Sequence, residues 1–325
     1  MTNSINDETV HWLLEPDEPS IRYRTLTELR NIPIDSTEVQ TTRKTIAKSP
    51  RVMALLAGQI PGGGFGVHPY DKWMGAHWRL VSMVDLAIPK GDRRAINAAG
   101  HVLKWLASPE HRKNIRLING RIRRCASQEG NALGVCCRLG MTDDPRVKKL
   151  AESLIEWQWP DGGWNCDKDT SAHHSSFHES VIPLWGLLEY HRATVDKDSL
   201  AAAKKTGEFL LRHQLFRSDA TGEVINSNWL DIRYPYYWHY NILQGLRMIA
   251  MLGKIKDPRT CEALDILEQK RLPDGKWKAD GYYWKPATTS GPYREPANWW
   301  RKEPNKMITF LAMKILKEAG RMTLN

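Results

Sequence analysis

Cysteine, histidine and glutamate residues are concentrated where predicted apolar helices begin. Cys166 precedes one such helix, and His178 and Glu179 open it; Cys125 and His239 hold similar positions before two others. Zinc takes thiolate and imidazole ligands, and three protein ligands leave one coordination position open for water or substrate. We therefore expect a zinc site built from Cys125, Cys166, His178 and His239.

The same positions suggest catalytic and substrate-binding roles. His178, Glu179 and Tyr237 are expected to move the proton of an activated water. Helix N-termini favour anions, and aromatic rings provide apolar walls. A largely apolar small molecule, with or without a negative group, is the expected substrate. The residues expected to bind it are Lys72, Trp73, His77, Tyr236, Tyr240, Trp300, Arg301 and Lys302.

These residues also have purely structural interpretations. A lone cysteine is more often a small buried residue than a ligand. His239, which stands among tyrosines, equally suits a hydrogen-bonded core histidine. The basic run from Arg121 to Arg124 is expected to be a solvated loop. No close CxxC or HExxH spacing occurs, so the proposed ligands meet only if the fold brings them together.

Composition excludes several classes of protein. The 325-residue chain carries a net charge of +10, but no zinc-finger or basic-zipper pattern accompanies it, so we expect no nucleic-acid partner. No apolar run reaches the ~18 residues of a membrane span. The N-terminal segment lacks the basic and apolar parts of a signal peptide, and the five cysteines are an odd number. We expect a cytoplasmic protein with free thiols.

The chain contains internal repeats. Three segments run from a glutamine through a Pro- and Gly-rich turn to an aromatic residue: Gln59–Phe65, Gln158–Trp164 and Gln269–Trp277. The dipeptides that start at Asp144 and Asp257 are both Asp-Pro. Aspartate at the N-cap and proline at the first helical position are typical of a helix start. A repeat unit of helix, turn and helix is therefore predicted.

Amphipathic and wholly apolar helices alternate along these repeats. The amphipathic stretches are predicted at 38–59, 95–106, 147–157, 198–214 and 260–267. The apolar helices, which we expect to be buried, are predicted at 21–29, 78–88, 132–139, 181–190, 242–252 and 307–316. This alternation predicts an all-α fold, an (α/α)6 toroid with inner and outer helices, in a single domain over residues 1–325. Chemistry is expected at the cavity mouth where the inner helices begin.

The Gln-to-aromatic turns resemble the repeat of squalene and hopene cyclases, and Pro61-Gly-Gly-Gly-Phe-Gly66 is similar to the glycine-rich turn of protein prenyltransferase β subunits. The resemblance implies an α/α toroid. Cyclases carry a DxDD acid motif where this chain has Ser176-Phe177-His178-Glu179, and Asp167-Lys-Asp-Thr170 lies in the preceding turn.

Two other functions stay open at this point. One is a metal-free, terpene cyclase-like enzyme with Glu179 or Asp169 as the acid. The other is a non-catalytic toroid that holds a ligand or a protein. The sequence leaves open the oligomeric state and whether residues 274–304 form a lid.

Overall fold

Helices dominate the structure, a computed structural model that describes residues 3–4 and 7–323. Six helices form an inner ring: α2 (Pro19–Arg24, continued by a π-helical turn Thr25–Leu29), α5 (Ala76–Asp85), α8 (Ser127–Leu139), α10 (Phe177–Thr194), α12 (Ile242–Met251) and α14 (Lys306–Glu318). The outer helices are α1 (Asp7–Leu13), α3 (Thr37–Ile46) with α4 (Pro50–Leu56), α6 (Arg93–Leu106), α9 (Pro145–Trp157), α11 (Lys197–Arg212) and α13 (Cys261–Gln269).

The remaining elements are short. They are helix α7 (Pro109–Arg112), 3-10 turns at Ser227–Leu230 and Pro258–Thr260, and the strands β1 (Asn3–Ser4), β2 (Arg116–Ile118), β3 (Arg121–Arg123), β4 (Lys285–Pro286), β5 (Arg294–Glu295) and β6 (Met322–Thr323). β2 and β3 form an antiparallel hairpin, while β4 pairs with β5 in parallel. Among the described residues, none of the helices combines the length and apolar character that a bilayer span requires.

The inner helices run in the same direction and close into a ring. Each neighbouring pair from α5 to α14 is in contact, and α14 also packs against α2 and the π-helical turn. Lys306 at the start of α14 binds Asp17, just before α2. Lys314, further along α14, pairs with Glu28 in the π-helical turn. β1 and β6 pair in parallel at the same seam. The predicted all-α toroid of six helix pairs is therefore the fold.

The repeated turns join an outer helix to the next inner one, as predicted. In the second turn, the Gln158 side chain donates to the backbone oxygens of Gly162 (3.0 Å) and Ala202 (2.9 Å), tying the turn to the next outer helix. Trp164 closes the turn; it is buried and donates to the backbone oxygen of Leu154 (2.9 Å). Amphipathic outer helices thus bury one face against the inner ring.

The sequence predicted the positions at which helices start more accurately than it predicted where they are interrupted. Asp144 accepts from the backbone N–H of Arg146 (2.9 Å) and caps α9, and Asp257 caps the turn before α13 in the same way. The helix predicted over 38–59 is instead two helices, α3 and α4. Pro50 opens the second helix because proline cannot donate the backbone hydrogen bond that a continuous helix requires at that position.

Candidate functional site

Backbone pairing brings two cysteines together beside the start of α8. The end of β3 is bridged to a distant turn, with Arg123 opposite Asn165, and the N–H of Arg124 donates to the Asn165 oxygen (3.0 Å). Cys125 and Cys166 are the residues that follow these paired positions, so their thiols come to lie side by side. Cys125 lies just before α8, and Cys166 lies in the turn that precedes α10.

Glu179 reaches the same place from the first turn of α10. The inner helices α8 and α10 approach closely: a Cβ atom on Gly186 would lie 2.4 Å from the Gly130 oxygen, so only glycine fits there. This contact places the Glu179 carboxylate at the N-terminus of α8, where its Oε2 accepts from the backbone N–H of Ser127 (3.0 Å). A helix N-terminus favours an acceptor at this point.

The three side chains form a compact cluster of potential ligands. The two Sγ atoms and a carboxylate oxygen of Glu179 all lie within 4.8 Å of one another, and Cys166 Sγ is 3.8 Å from Glu179 Oε1. The hydrogen bond between the thiols raises the pKa of Cys125 and lowers the pKa of Cys166. Burial raises the pKa of Glu179, which forms no ion pair with any described residue. Cys166 is therefore the thiol that ionises more readily.

A buried network of charged side chains supports the cluster from the side of α8. The Arg124 guanidinium donates to Glu129 (2.6 Å) and Gln128 (2.7 Å) and contacts the ring of His111. His111 Nε2 is also 3.2 Å from Glu129. Burial tends to raise the pKa of Glu129, but the charges and hydrogen bonds of Arg124 and His111 together outweigh burial, so that pKa is lowered. The expectation that Arg121–Arg124 form a solvated loop was wrong for Arg123 and Arg124, which are almost wholly buried.

A cleft of about 470 Å³ opens directly onto the two thiols. One wall is aromatic: Tyr70 stacks on Trp105 with ring centroids 5.4 Å apart, and His68 packs edge-on against the same indole at 5.3 Å. Nδ1 of His68 accepts from the Tyr70 N–H (3.1 Å), so in the neutral ring the proton lies on Nε2. The cleft is also lined by Arg123, Gln128 and Lys168.

A second cleft of about 270 Å³ lies on the outer side of His111 and Glu129. Its lining combines apolar side chains of α6 and α9, including Leu103, Leu106 and Leu150, with charged side chains such as Arg146 and Glu156. It contains no thiol, and none of the three clustered side chains reaches it. The cleft at Cys125 and Cys166 is therefore the one in which chemistry is concentrated.

The two histidines of the predicted ligand set lie in a different environment. His178 Nδ1 accepts from the Tyr240 N–H (2.8 Å), and its ring centroid is 6.3 Å from that of His239. His239 stacks on Tyr283 with centroids 3.7 Å apart, and burial lowers its pKa to about 3. The structure thus replaces the expected four-ligand set by two thiols with Glu179, and it places His178 and His239 outside that cluster.

Most of the predicted substrate-binding aromatics fill the middle of the ring instead of lining an open cavity. Trp73, Tyr236 and Tyr240 are almost wholly buried. Tyr237, which was predicted to be catalytic, is equally buried, and Trp73 packs on it with centroids 4.9 Å apart. His77 is buried beside them, and burial lowers its pKa to about 3. These side chains offer almost no surface to a substrate, which corrects their predicted role in substrate binding.

Residues 278–304 pack against the same buried aromatic side chains in the middle of the ring. Glu295 in this segment is fully buried, where it accepts a hydrogen bond from Tyr237, whose hydroxyl is also 3.0 Å from Ser82 on α5. The Trp284 indole donates to the Tyr234 oxygen (3.1 Å). Neither Glu295 nor this packing was predicted, because the segment has no periodic pattern and its contacts are distant in the chain.

The predicted basic and aromatic residues near this segment are held by local stacking. Lys72 Nζ lies 4.5 Å from the Trp238 ring centroid, and the Arg51 guanidinium lies 3.5 Å from the Trp300 ring. Arg301 stacks on Tyr282 at 4.2 Å, and the N–H of Lys302 donates to the same tyrosine's hydroxyl. None of Lys72, Trp300, Arg301 and Lys302 lines the cleft at the thiols.

Comparisons with known proteins add little to this geometry. The chain matches no family model and no curated protein. A solved structure of a GH76 α-mannanase from Bacteroides thetaiotaomicron is similar with a TM-score of 0.42 and 11% sequence identity, covering 96% of this chain and 85% of that one. A likeness this distant carries no argument about chemistry. The toroid rests on the helix packing described above, and a relationship to cyclases or prenyltransferases stays a prediction.

Proposed function

We propose that the protein is a zinc-dependent enzyme whose metal is held by Cys125, Cys166 and Glu179, with its active site in the adjoining cleft. The observation that carries the proposal is the convergence of two thiols and one carboxylate within 4.8 Å, from three positions spread over residues 125–179. Local sequence does not require this convergence.

The chemistry of the three groups suits zinc. Thiolate and carboxylate oxygen are both zinc ligands, and a set of three protein ligands is typical of catalytic sites because it leaves one position open. That position would face the cleft, which both cysteines line. A bound cation would also offset the cost of burying the Glu179 carboxylate, which has no ionic partner among the described residues.

The surrounding side chains define what the site can do. Zinc, when bound, supplies a Lewis acid that polarises a substrate oxygen or lowers the pKa of a coordinated water. Tyr70 and Trp105 offer a flat apolar wall for a substrate. His68, on the exposed rim, presents Nε2–H and is proposed to donate a hydrogen bond to a substrate oxygen. Arg124 and Glu129 fix the backbone that carries Cys125 through their buried ion pair.

Elemental analysis of the purified protein tests the proposal. We expect about one zinc per chain, held against a chromogenic chelator. Cys166→Ser and Glu179→Gln are each expected to weaken zinc binding by roughly 100-fold or more, since loss of even an outer partner of a ligand costs 10–100-fold. Cys261→Ser is the matched control, because Cys261 is an exposed free thiol outside the cluster.

Two results would contradict the proposal. One is wild-type protein without stoichiometric zinc after purification in metal-replete, reducing buffer. The other is a Cys166→Ser protein that retains zinc as tightly as the Cys261→Ser control. Circular dichroism of each variant separates loss of the site from loss of the fold.

A metal-free enzyme that uses Glu179 as its acid is the second candidate. The burial of this carboxyl group beside the cleft favours it, because a buried acid is kept protonated more easily than an exposed one. Asp169, the other acid considered, is exposed and hydrogen-bonds to Ser171. Activity that survives removal of metal but disappears in Glu179→Gln would favour this candidate over the zinc enzyme.

A further inference from the structure

Arg123 is a buried charge whose guanidinium is only partly satisfied. The side chain is 1% exposed; its Nη2 donates to the Ala172 oxygen (2.9 Å), and its Cζ lies 4.5 Å from the Trp159 ring centroid. Nε and Nη1 are buried without a hydrogen-bond partner. Within residues 3–4 and 7–323, no carboxylate forms an ion pair with it. The charge of Arg123 helps to lower the pKa of Asp169, but the Asp169 carboxylate is exposed and accepts a hydrogen bond from Ser171 instead.

The adjacent residue, Arg124, is a buried arginine that does have an anionic partner. Arg124 is equally buried, yet its guanidinium is paired with Glu129 and hydrogen-bonded to Gln128. An arginine does not give up its proton in a protein, so a buried guanidinium without an anion retains its full desolvation cost. Arg123 is thus the buried cation of this region that lacks an anionic partner among the described residues.

The position of Arg123 relates this cation to the candidate site. The residue ends β3, and its bridge to Asn165 fixes it beside the chain that carries Cys166. Its side chain lines the same cleft as Cys125 and Cys166, with Lys168 also on the lining. The cation–π contact with Trp159 and the hydrogen bond to Ala172 hold the guanidinium in place, which leaves its unpaired donors preorganised.

We propose that Arg123 is the anion-recognition residue of the cleft and that the substrate carries a carboxylate or phosphate group. Nε and Nη1 lie on different edges of the guanidinium, each beside Nη2. Because Nη2 uses one N–H for the Ala172 oxygen, its second N–H and the adjacent unpaired donor can bind two oxygens of such a group. Lys168 adds positive charge on the cleft lining. The identification of the anion as part of a substrate rests on the proposed function, whereas the anion site itself does not require the metal.

Binding of inorganic phosphate and of acetate, each measured by isothermal titration calorimetry at constant ionic strength, tests this assignment. The Cys166→Ser background is used so that an anion cannot bind through zinc. We expect saturable binding of at least one anion, and which one binds distinguishes a phosphate from a carboxylate group. Arg123→Gln is expected to weaken that binding by roughly tenfold or more, the effect of losing hydrogen bonds to a charged group.

Two further variants complete the experiment. Arg259→Gln removes the same charge from an exposed arginine paired with Glu208 and should bind the anion as its parent does. Arg123→Lys keeps the charge but loses the paired donors, and should bind several-fold more weakly even if Arg123→Gln fails to fold. Absence of saturable binding in the parent, or equal binding by Arg123→Lys and its parent, would overturn the inference.

The result also distinguishes this inference from the proposed function. Anion binding that depends on Arg123 in a protein without stoichiometric zinc would leave the anion site standing and remove the zinc enzyme. Stoichiometric zinc in a protein that binds no anion would leave the zinc enzyme standing and remove the anion site.

Discussion

Replacing Glu295 by glutamine is expected to stabilise the fold above neutral pH. The carboxyl group is wholly buried, accepts from Tyr237, and lies 3.3 Å from the backbone N–H of Ala297. Burial raises the pKa of Glu295 from 4.5 to about 7, although these hydrogen bonds and the charge of Arg79 act in the opposite direction. Glutamine has the shape of the protonated acid and cannot ionise.

The expected magnitude follows from the two pKa values. A carboxyl group that binds its proton more tightly in the folded state contributes its full stability below pH 4.5 and loses it as the pH rises through about 7. The difference between 4.5 and about 7, at about 1.4 kcal/mol for each pH unit, corresponds to about 3 kcal/mol. The wild type should therefore lose about this much stability between pH 4.5 and 8 through Glu295 alone.

Chemical denaturation of both proteins at several pH values between 4.5 and 8.5 measures the effect. The difference in unfolding free energy between Glu295→Gln and wild type should grow in favour of the variant as the pH rises, and level off above pH 7.5. Other titrating groups are common to both proteins and cancel in this difference. A difference that stays constant with pH would show that Glu295 does not take up its proton on folding, and would refute the reasoning.

Three further substitutions test the fold. Gly162→Ala should destabilise the protein by about 3 kcal/mol in a urea titration, because Gly162 has φ +103° and a Cβ there would lie 2.6 Å from the backbone of α11. Gly222→Ala is the control: Gly222 has φ +73° but lies in open space, so this change should cost only about 1 kcal/mol. Asp144→Ala should cost about 1 kcal/mol by thermal unfolding, since it removes the cap of α9, and no change would contradict the capping role. Asp85→Asn should cost about 3–5 kcal/mol, because it leaves the buried guanidinium of Arg247, now 2.7 Å from Asp85, without its anion; a loss below 1 kcal/mol would show that the pair is dispensable.

The repeat architecture could be predicted from the sequence because its signals are local. Gln158, Asp144 and Trp164 each act within one turn or on the next helix, and their roles follow from residue type and spacing. The length of α3 was overestimated because the apolar pattern continues through Pro50, where the helix stops. Patterns that extend over a few residues were therefore sufficient for the ring of helices.

The site could be predicted only in part, since neighbouring residues on a helix point in different directions. Successive side chains are about 100° apart, so His178 and Glu179 cannot both face Cys166. Glu179 turns to α8, whereas His178 turns to the backbone of Tyr240. Residue type favoured His178 as a zinc ligand, because imidazole is a commoner zinc ligand than a carboxylate. The closeness of α8 and α10, which decides between the two, depends on the glycine contact across the helices.

Other parts of the site depend on contacts that have no sequence signal. His111 belongs to a short helix after α6 and meets Glu129 only in the folded ring. Arg123 and Arg124 read as a solvated basic run, but pairing with the turn at Asn165 buries both.

Closure of the ring has a consequence for how the chain folds. In an open solenoid each repeat has at most two neighbours along a line, and end repeats can be lost one at a time. Here the pairing of β1 with β6 joins residue 3 to residue 322, and the bond from Lys306 to Glu15 joins positions 291 residues apart in the chain. Such distant contacts form slowly. The seam between the two ends is therefore expected to form last during folding and to open first during unfolding, and deletion of a whole repeat should prevent the ends from meeting.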